Sequence, residues 1–209
     1  AKTLLHTNRP DEAVCILDAT HVLPSESGRE SHTLFAQAHT LAALNEMDSA
    51  RVAGAIDHLA AGREWPESLG QGRPYEPEER LIRFLLGRAL AQSEQADAGA
   101  AEYQAVVDAS AGLPSVTSRL DLLAIAALHA LGESSELGRI ATRGNGVARS
   151  PDGTNEPSDI ARFAARYARA LVGGEVDTAE VVRGLADEFA PLFTDLEGRM
   201  ILRALSVRD

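Results

Sequence analysis

Residues 76–110, EPEERLIRFLLGRALAQSEQADAGAAEYQAVVDAS, contain the pattern that decides the fold. This pattern predicts a helix starting near Glu76 and Pro77, because proline in the first helical turn loses no hydrogen bond. Apolar residues recur at helical spacing through Leu90, and polar and small residues at 93–97 interrupt them. A second apolar stripe follows, so the stretch predicts a helical hairpin. Neither helix can cover its stripe alone, and each needs neighbouring helices.

The composition favours helices throughout the chain. Of the 209 residues, 44% are hydrophobic and only 4% are aromatic, while alanine is abundant. This apolar fraction is enough for a substantial core. Because strands are rich in aromatic and β-branched residues, whereas alanine is the best helix former, we predict an all-α fold.

Charge and hydropathy exclude several classes of partner. The formal net charge is -11, whereas nucleic-acid binding requires clustered Lys and Arg, so we expect no nucleic-acid partner. No apolar run is long enough to cross a bilayer and no signal peptide is visible, so we expect no membrane partner and a cytoplasmic location for this chain, with the location of the parent chain left open. The single cysteine, Cys15, cannot form an internal disulfide.

The chain is expected to form one repetitive domain over residues 1–209. It begins at Ala1 inside a helical pattern, so we expect a fragment truncated at its N-terminus. Two stretches rich in turn-forming residues, 62–75 and 143–157, predict long loops, the first inserted between repeat units. A final amphipathic segment, 196–207, is predicted to be a capping helix.

Small or apolar residues recur at the expected start of each second helix, at intervals of about 40 residues. They are Ala13, Ala50, Gly99, Leu137 and Ala179. With Gly87 and Tyr103, this recurrence resembles the tetratricopeptide repeat (TPR) family, although no copy has the full signature. The resemblance implies an α-α superhelix of about five antiparallel helix pairs, a TPR-like solenoid.

A narrower resemblance involves residues 65–90, WPESLGQGRPYEPEERLIRFLLGRAL. They are similar to the C-terminal repeat region of large bacterial proteins with an N-terminal mutarotase-like β-sandwich of unknown function. This likeness implies that the chain is the helical tail of such a protein. Any sugar-related site would then lie outside it.

No pattern in the sequence indicates catalysis or metal binding. HExxH and GxSxG motifs are absent, and pairs of consecutive carboxylates on a helix point in different directions. His32 and His39 lie two turns apart on one face, but no third metal ligand accompanies them. We therefore predict a protein that is not an enzyme and has no cofactor and no metal.

The TPR resemblance also implies a binding groove, because the first helix of each unit lines the concave surface in that family. Carrying this register onto the sequence gives a groove formed by His32, Phe35, His39, Phe84, Arg88, Gln92, Arg119, Leu122 and His129. Exposed aromatic side chains beside arginines suit a peptide, and Arg88 and Arg119 could bind a carboxylate. In the 62–75 loop, Trp65 and Tyr75 are expected to pin the loop to the helices.

Two functions of different class are compatible with these patterns. The preferred hypothesis is a non-catalytic interaction scaffold whose groove binds a protein or peptide segment, or another domain of the same parent chain. The alternative is an accessory helical domain of a carbohydrate-active or sugar-binding enzyme, and it predicts Trp65 over a concave polar pocket with acids nearby. A homodimer is a third expectation, because a truncated first unit would leave an apolar face uncovered.

Overall fold

The structure is a computed structural model that describes residues 1–23, 29–110, 113, 116–143, 158–172 and 177–207. The predicted 143–157 loop, apart from Arg143, lies outside these residues. Within them the chain is helical and contains no strand, so the all-α prediction is confirmed. The helices are α1 (Lys2–His6), α2 (Pro10–Asp18), α3 (Arg29–Asp48), α4 (Val52–Ala61), α5 (Arg80–Gln92), α6 (Ala96–Ala109), α7 (Asp121–Ala130), α8 (Ser134–Arg143), α9 (Asp159–Val172), α10 (Thr178–Ala186) and α11 (Leu196–Ser206), with short 3-10 helices at Glu67–Leu69 and Ala190–Phe193.

Consecutive helices pack against one another along the chain, as a helical repeat requires. Alternate helices also touch, since α7 contacts both α5 and α9. One hydrophobic core runs through all of these layers. The tightest crossing joins α5 and α6, where a Cβ atom on Gly99 would lie only 2.7 Å from the carbonyl oxygen of Gly87. The small residues predicted at this crossing therefore allow the two backbones to touch.

In four of the helix pairs, the first helix ends in the same type of turn. A residue of positive φ follows α1, α3, α5 and α7, and these residues are Asn8 (φ 56°), Ala50 (φ 56°), Glu94 (φ 63°) and Gly132 (φ 76°). In each turn the next amide donates to a carbonyl oxygen five residues back, at 2.9, 2.9, 3.0 and 2.9 Å in chain order. This is the left-handed cap that satisfies free carbonyl groups at a helix C-terminus. Ala50 therefore lies in the turn, and α4 begins two residues later, at Val52.

Helix α5 begins at Arg80, later than the sequence predicts. The Glu78 carboxylate accepts hydrogen bonds from both the backbone amide and the guanidinium of Arg80, at 3.1 and 2.9 Å. It thereby satisfies an amide that would otherwise lack a partner at the helix start. Glu76 and Pro77 are consequently outside the helix, in the connection from α4.

The connection between α4 and α5 is held by charge as well as by packing. Leu69 is buried in the core, and Glu79 is a buried carboxylate that binds Arg63, Arg73 and Arg83 at 3.4, 2.8 and 3.0 Å. Several cations around one buried carboxylate compensate for its lost hydration. This network fixes the connection against α5.

The last helix does not simply extend the row of helices. Besides α10, α11 packs against α3, α5 and α7, the first helices of three successive pairs. Met200, Ile201, Ala204 and Leu205 of α11 are buried there. In the part of the chain that the structure describes, no helix has the length and hydropathy to cross a membrane.

Candidate functional site

Several of the predicted groove residues lie on the face formed by α3, α5 and α7, but α11 covers that face. Phe35 and Phe84 are 4% and 2% exposed, and Leu122 is fully buried. The expectation of exposed aromatic side chains is therefore wrong. These side chains face inward because the helices on either side and α11 all pack onto them, so they form core contacts.

Arg88 is one of the two arginines expected to bind a ligand carboxylate. It is instead buried, and its Nη1 donates a hydrogen bond of 2.9 Å to the carbonyl oxygen of Ala204. Ala204 lies in the last turn of α11, where carbonyl groups lack intrahelical partners and carry partial negative charge. The guanidinium also lies 5.8 Å from the centroid of the Phe84 ring. Arg88 therefore caps the C-terminal end of α11.

Arg119, the second of these arginines, binds the opposite end of α11. Its two terminal nitrogens each lie 2.9 Å from a carboxylate oxygen of Asp195, and Nη2 lies 3.1 Å from Glu197. Asp195 is the N-cap of α11 and accepts from the Gly198 amide at 2.7 Å. The hydrogen bonds from Arg119 and then from Gly198 lower the pKa of Asp195 below its ordinary value. The carboxylate that Arg119 binds thus belongs to the same chain, whereas the prediction concerned a carboxylate of a ligand.

Two of the predicted histidines have partners within the fold. The Nδ1 atoms of His39 and His58 lie 3.1 Å apart and share a hydrogen bond between α3 and α4. Burial, and then electrostatic repulsion from the neighbouring imidazole of His58, lower the pKa of His39. Among the described residues, no group of three or more His, Cys, Asp and Glu side chains could hold a metal ion.

The remaining predicted groove residues are separated from one another. Gln92 is exposed at the end of α5. His129 is half-buried and lines a cavity of about 150 Å³ together with Phe84, Arg88 and Tyr103. The structure therefore does not bring all nine residues to one open surface.

His32 and Trp65 join the 62–75 loop to α3. Their rings stack with centroids 3.3 Å apart and planes 7° from parallel. His32 Nε2 lies 3.0 Å from the carbonyl oxygen of Glu64, so this nitrogen carries the proton and donates. Burial lowers the pKa of His32, against the opposing effects of that carbonyl and of Glu79. Trp65 pins the loop as predicted, whereas Tyr75 is 99% exposed and does not.

A cleft of about 240 Å³ opens beside Trp65. We call it the Trp65 cleft. Its walls come from α3, the connection before α5, α5 itself, Leu120 and α11. The lining residues are His32, Thr33, Ala36, Gln37, Thr40, Trp65, Pro74, Pro77, Glu78, Leu81, Ile82, Leu120, Glu197 and Met200. Of the predicted groove, only His32 lines this opening, and α11 leaves it uncovered.

Sequence reasoning missed the polar contacts that α11 itself makes. Arg203 binds Asp48 at 2.5 Å and Asn45 at 2.7 Å, at the end of α3. Arg199 lies 3.2 Å from Nδ1 of His6. No local signal in the sequence identifies these partners, because arginines alternate with apolar residues in α9 as they do in α11.

The chain matches no protein-family model, no curated protein and no solved structure. The two family resemblances therefore rest on the sequence motifs described above.

Proposed function

We propose that this chain is a non-catalytic interaction scaffold built as a TPR-like array of about five antiparallel helix pairs. Its binding face is formed by α3, α5 and α7, the first helices of successive pairs. This face, which α11 occupies, would receive an amphipathic helix from a protein segment or from another domain of the parent chain in place of α11. The same left-handed turn after α1, α3, α5 and α7 supports a repeat of this kind.

The position of α11 is the observation that carries the proposal. An amphipathic helix already lies across three first helices, with its apolar residues buried between them. Helix-in-groove recognition uses this arrangement, in which apolar side chains on one stripe provide most of the affinity. The face is therefore suited in shape and polarity to a helix.

An arginine contacts α11 at each end of the face. Arg119 contacts the N-cap carboxylate of α11, and Arg88 contacts a carbonyl of its last turn. Any bound helix presents free carbonyl groups to Arg88 at its C-terminal end, whereas Arg119 requires a carboxylate near the helix N-terminus, as Asp195 provides in α11. Between these two arginines the face accommodates a helix of about three turns.

Supplying α11 as a separate peptide tests the proposal. The full chain with Ile201→Asp, which puts a charge at a fully buried position, should release α11 from the face. A fluorescent peptide of residues 194–207 should then bind this variant and not the wild type, in which the face is filled. A scrambled peptide is the control, and far-UV circular dichroism checks that the variant remains helical. A helical variant that does not bind the peptide would contradict the proposal.

One observation favours the second candidate, an accessory domain of a sugar-binding protein. Trp65 lines a cleft that also contains the carboxylates of Glu78 and Glu197. Trp65 is the only tryptophan, so its fluorescence reports on this cleft alone. Titration with a panel of neutral mono- and disaccharides should change the emission under this candidate and leave it constant under the preferred one.

Self-association is a separate question about the N-terminal helices. Ile16 and Leu23 are 48% and 86% exposed, and both lie in the first 23 residues. Analytical ultracentrifugation of the wild type and of an Ile16→Ser/Leu23→Ser variant measures whether this apolar surface joins two copies. A dimer that the variant loses would establish a homodimer, and a wild-type monomer would exclude it.

A further inference from the structure

The Trp65 cleft is the part of the first-helix face that α11 leaves open. Glu197 and Met200 of α11 form one wall, and residues of α3 and α5 form the others. Its volume is about 240 Å³, below the range of about 300–1,000 Å³ that is typical of small-molecule sites. It has room for one or two side chains rather than for a cofactor or a larger ligand.

The floor of the cleft, formed by its buried lining residues, is mostly apolar. Ile82, Leu120 and Met200 are buried there. The buried polar residues of the lining, His32 and Thr40, bond backbone carbonyl oxygens. Such a lining favours an apolar group in the interior and a polar group at the rim.

The charged groups of the lining are all negative. Glu78 and Glu197 are its only members that ionise, apart from His32, and their side chains are 51% and 45% exposed. Burial opposes ionisation of Glu78, but the hydrogen bonds from the side chain and backbone of Arg80 lower its pKa overall. The lowered pKa of His32 keeps that ring neutral at pH 7. The lining therefore carries negative charge and no cation.

The arginines near the rim do not reverse this charge. Arg80 binds both Glu78 and Asp121, and Arg119 binds both Asp195 and Glu197. Each guanidinium thus faces two carboxylates, and the negative charge exceeds the positive in both networks. The arginines that bind Glu79 do not line the cleft. The net charge of -11 for the whole chain also favours the approach of a cation.

We propose that the Trp65 cleft binds a protein segment through an apolar side chain that fills its floor and an adjacent Lys or Arg that meets Glu78 and Glu197. The aromatic ring of Trp65 adds a favourable site for the cation or for its methylene groups. This inference rests on the proposed function, since it names the chemistry of the segment that the scaffold recognises. A segment bound there would touch the array and α11 at once.

Selection from a random heptapeptide display library on the immobilised full chain tests this proposal. Enriched peptides should combine a basic residue with a neighbouring apolar one. A synthetic copy of the most enriched peptide is then titrated in solution, with the emission of Trp65 as the readout. Replacing its basic residue by neutral citrulline, which keeps the shape, should weaken binding about tenfold.

Matched variants locate the binding site. Glu78→Gln/Glu197→Gln keeps the shape of the cleft and removes both charges, so affinity for the selected peptide should fall about tenfold. Glu136→Gln/Glu188→Gln removes two carboxylates that also pair with arginines but do not line the cleft, and should leave affinity unchanged. Thermal unfolding of all variants checks that each is folded.

Four results would overturn the proposal. Selected peptides that lack basic residues would refute the proposed peptide site in the Trp65 cleft, and so would peptides that bind the cleft variant as tightly as the wild type. The proposed helix-binding face would still be tested separately, by the α11 peptide. n-Butylamine or n-butylguanidine binding as tightly as the peptide would make the cleft a small-molecule site. Failure to enrich any peptide, together with binding of the α11 peptide to Ile201→Asp, would refute this inference and keep the proposed function.

Discussion

Nη1 of Arg88 donates a hydrogen bond of 2.9 Å to the carbonyl oxygen of Ala204, 116 residues further along the chain. The bond joins the middle of α5 to the last turn of α11, and both groups are buried. It connects the helical array to the helix lying across it. Four predictions concern this packing and the elements that support it.

Replacing Arg88 by methionine should destabilise the protein by about 2 kcal/mol, because a buried carbonyl would lose its charged donor. Methionine keeps most of the volume, so a cavity contributes little. Urea unfolding followed by circular dichroism measures the free energy of unfolding. Arg162→Met is the control. Because Arg162 is half-exposed, this substitution should lower the free energy of unfolding by no more than about 0.5 kcal/mol. Equal losses in the two variants would show that the Arg88 contact contributes nothing specific.

Gly99→Ala should lower the free energy of unfolding by about 1–3 kcal/mol, because its Cβ atom would lie 2.7 Å from the Gly87 carbonyl oxygen and force the helices apart. Gly184→Ala in α10 is the matched control. No atom lies within 4 Å of its added Cβ, so alanine should stabilise the protein by up to about 1 kcal/mol through helix propensity. If both variants gain stability in thermal unfolding, the close crossing of α5 and α6 does not exist in solution.

Ala50→Gly should stabilise the protein by about 0.5–1 kcal/mol. Ala50 has φ 56°, a left-handed conformation that disfavours a Cβ atom, and this strain exceeds the entropy that glycine adds to the unfolded state. Ala53→Gly is the control because Ala53 lies within α4, where glycine should cost about 1 kcal/mol. In the reverse direction, Gly132→Ala should destabilise the equivalent turn by about 1 kcal/mol. Opposite signs for Ala50→Gly and Ala53→Gly in chemical unfolding are the decisive result.

Stability should fall as the pH is lowered from 7.5 to 5.5. The pKa values of His32 and His39 are both below the ordinary value of 6.5 in the folded state, chiefly because of burial. The unfolded chain therefore binds protons that the folded chain does not, and this difference favours unfolding below pH 6.5. The stability that depends on His32 and His39 being neutral is fully present above pH 6.5, and it is lost as the pH falls towards their pKa values in the folded state.

Urea unfolding at several pH values measures this loss, and a His32→Gln/His39→Gln variant should show a smaller dependence on pH in the same range. If the free energy of unfolding of the wild type stays constant or rises on acidification, the pKa values of His32 and His39 are not lowered by folding. The two histidines link different neighbours to α3, so their single variants also show which contact is responsible.

The local features of the helices could be predicted well from the sequence. The apolar periodicity of residues 76–110 indicated the α5–α6 hairpin, and Gly87 and Gly99 marked the crossing where the backbones touch. These features depend on residues close in the chain, for which spacing and propensity are direct physical signals. The start of α5 was less predictable because Glu78 binds Arg80 and competes with Pro77 as the start signal.

The repeated turn is a structural periodicity with almost no sequence periodicity. Asn8, Ala50, Glu94 and Gly132 are four different residue types in the same left-handed conformation. Only Gly132 and Asn8 are types that favour it locally. Packing of each helix pair against its neighbours imposes this turn, so composition alone could not reveal it.

The sequence alone determined that the chain is all-α, that its helices pair, and that its apolar stripes need neighbours, because each of these follows from local spacing and propensity. Tertiary structure alone decided what covers the first-helix face. In the sequence, an arginine that lines an open groove cannot be distinguished from an arginine that binds another segment of the same chain, because the neighbouring residues follow the same pattern. Arg88 and Arg119 bind α11 because packing brings those groups within hydrogen-bonding distance, and no local rule encodes a contact between such distant segments.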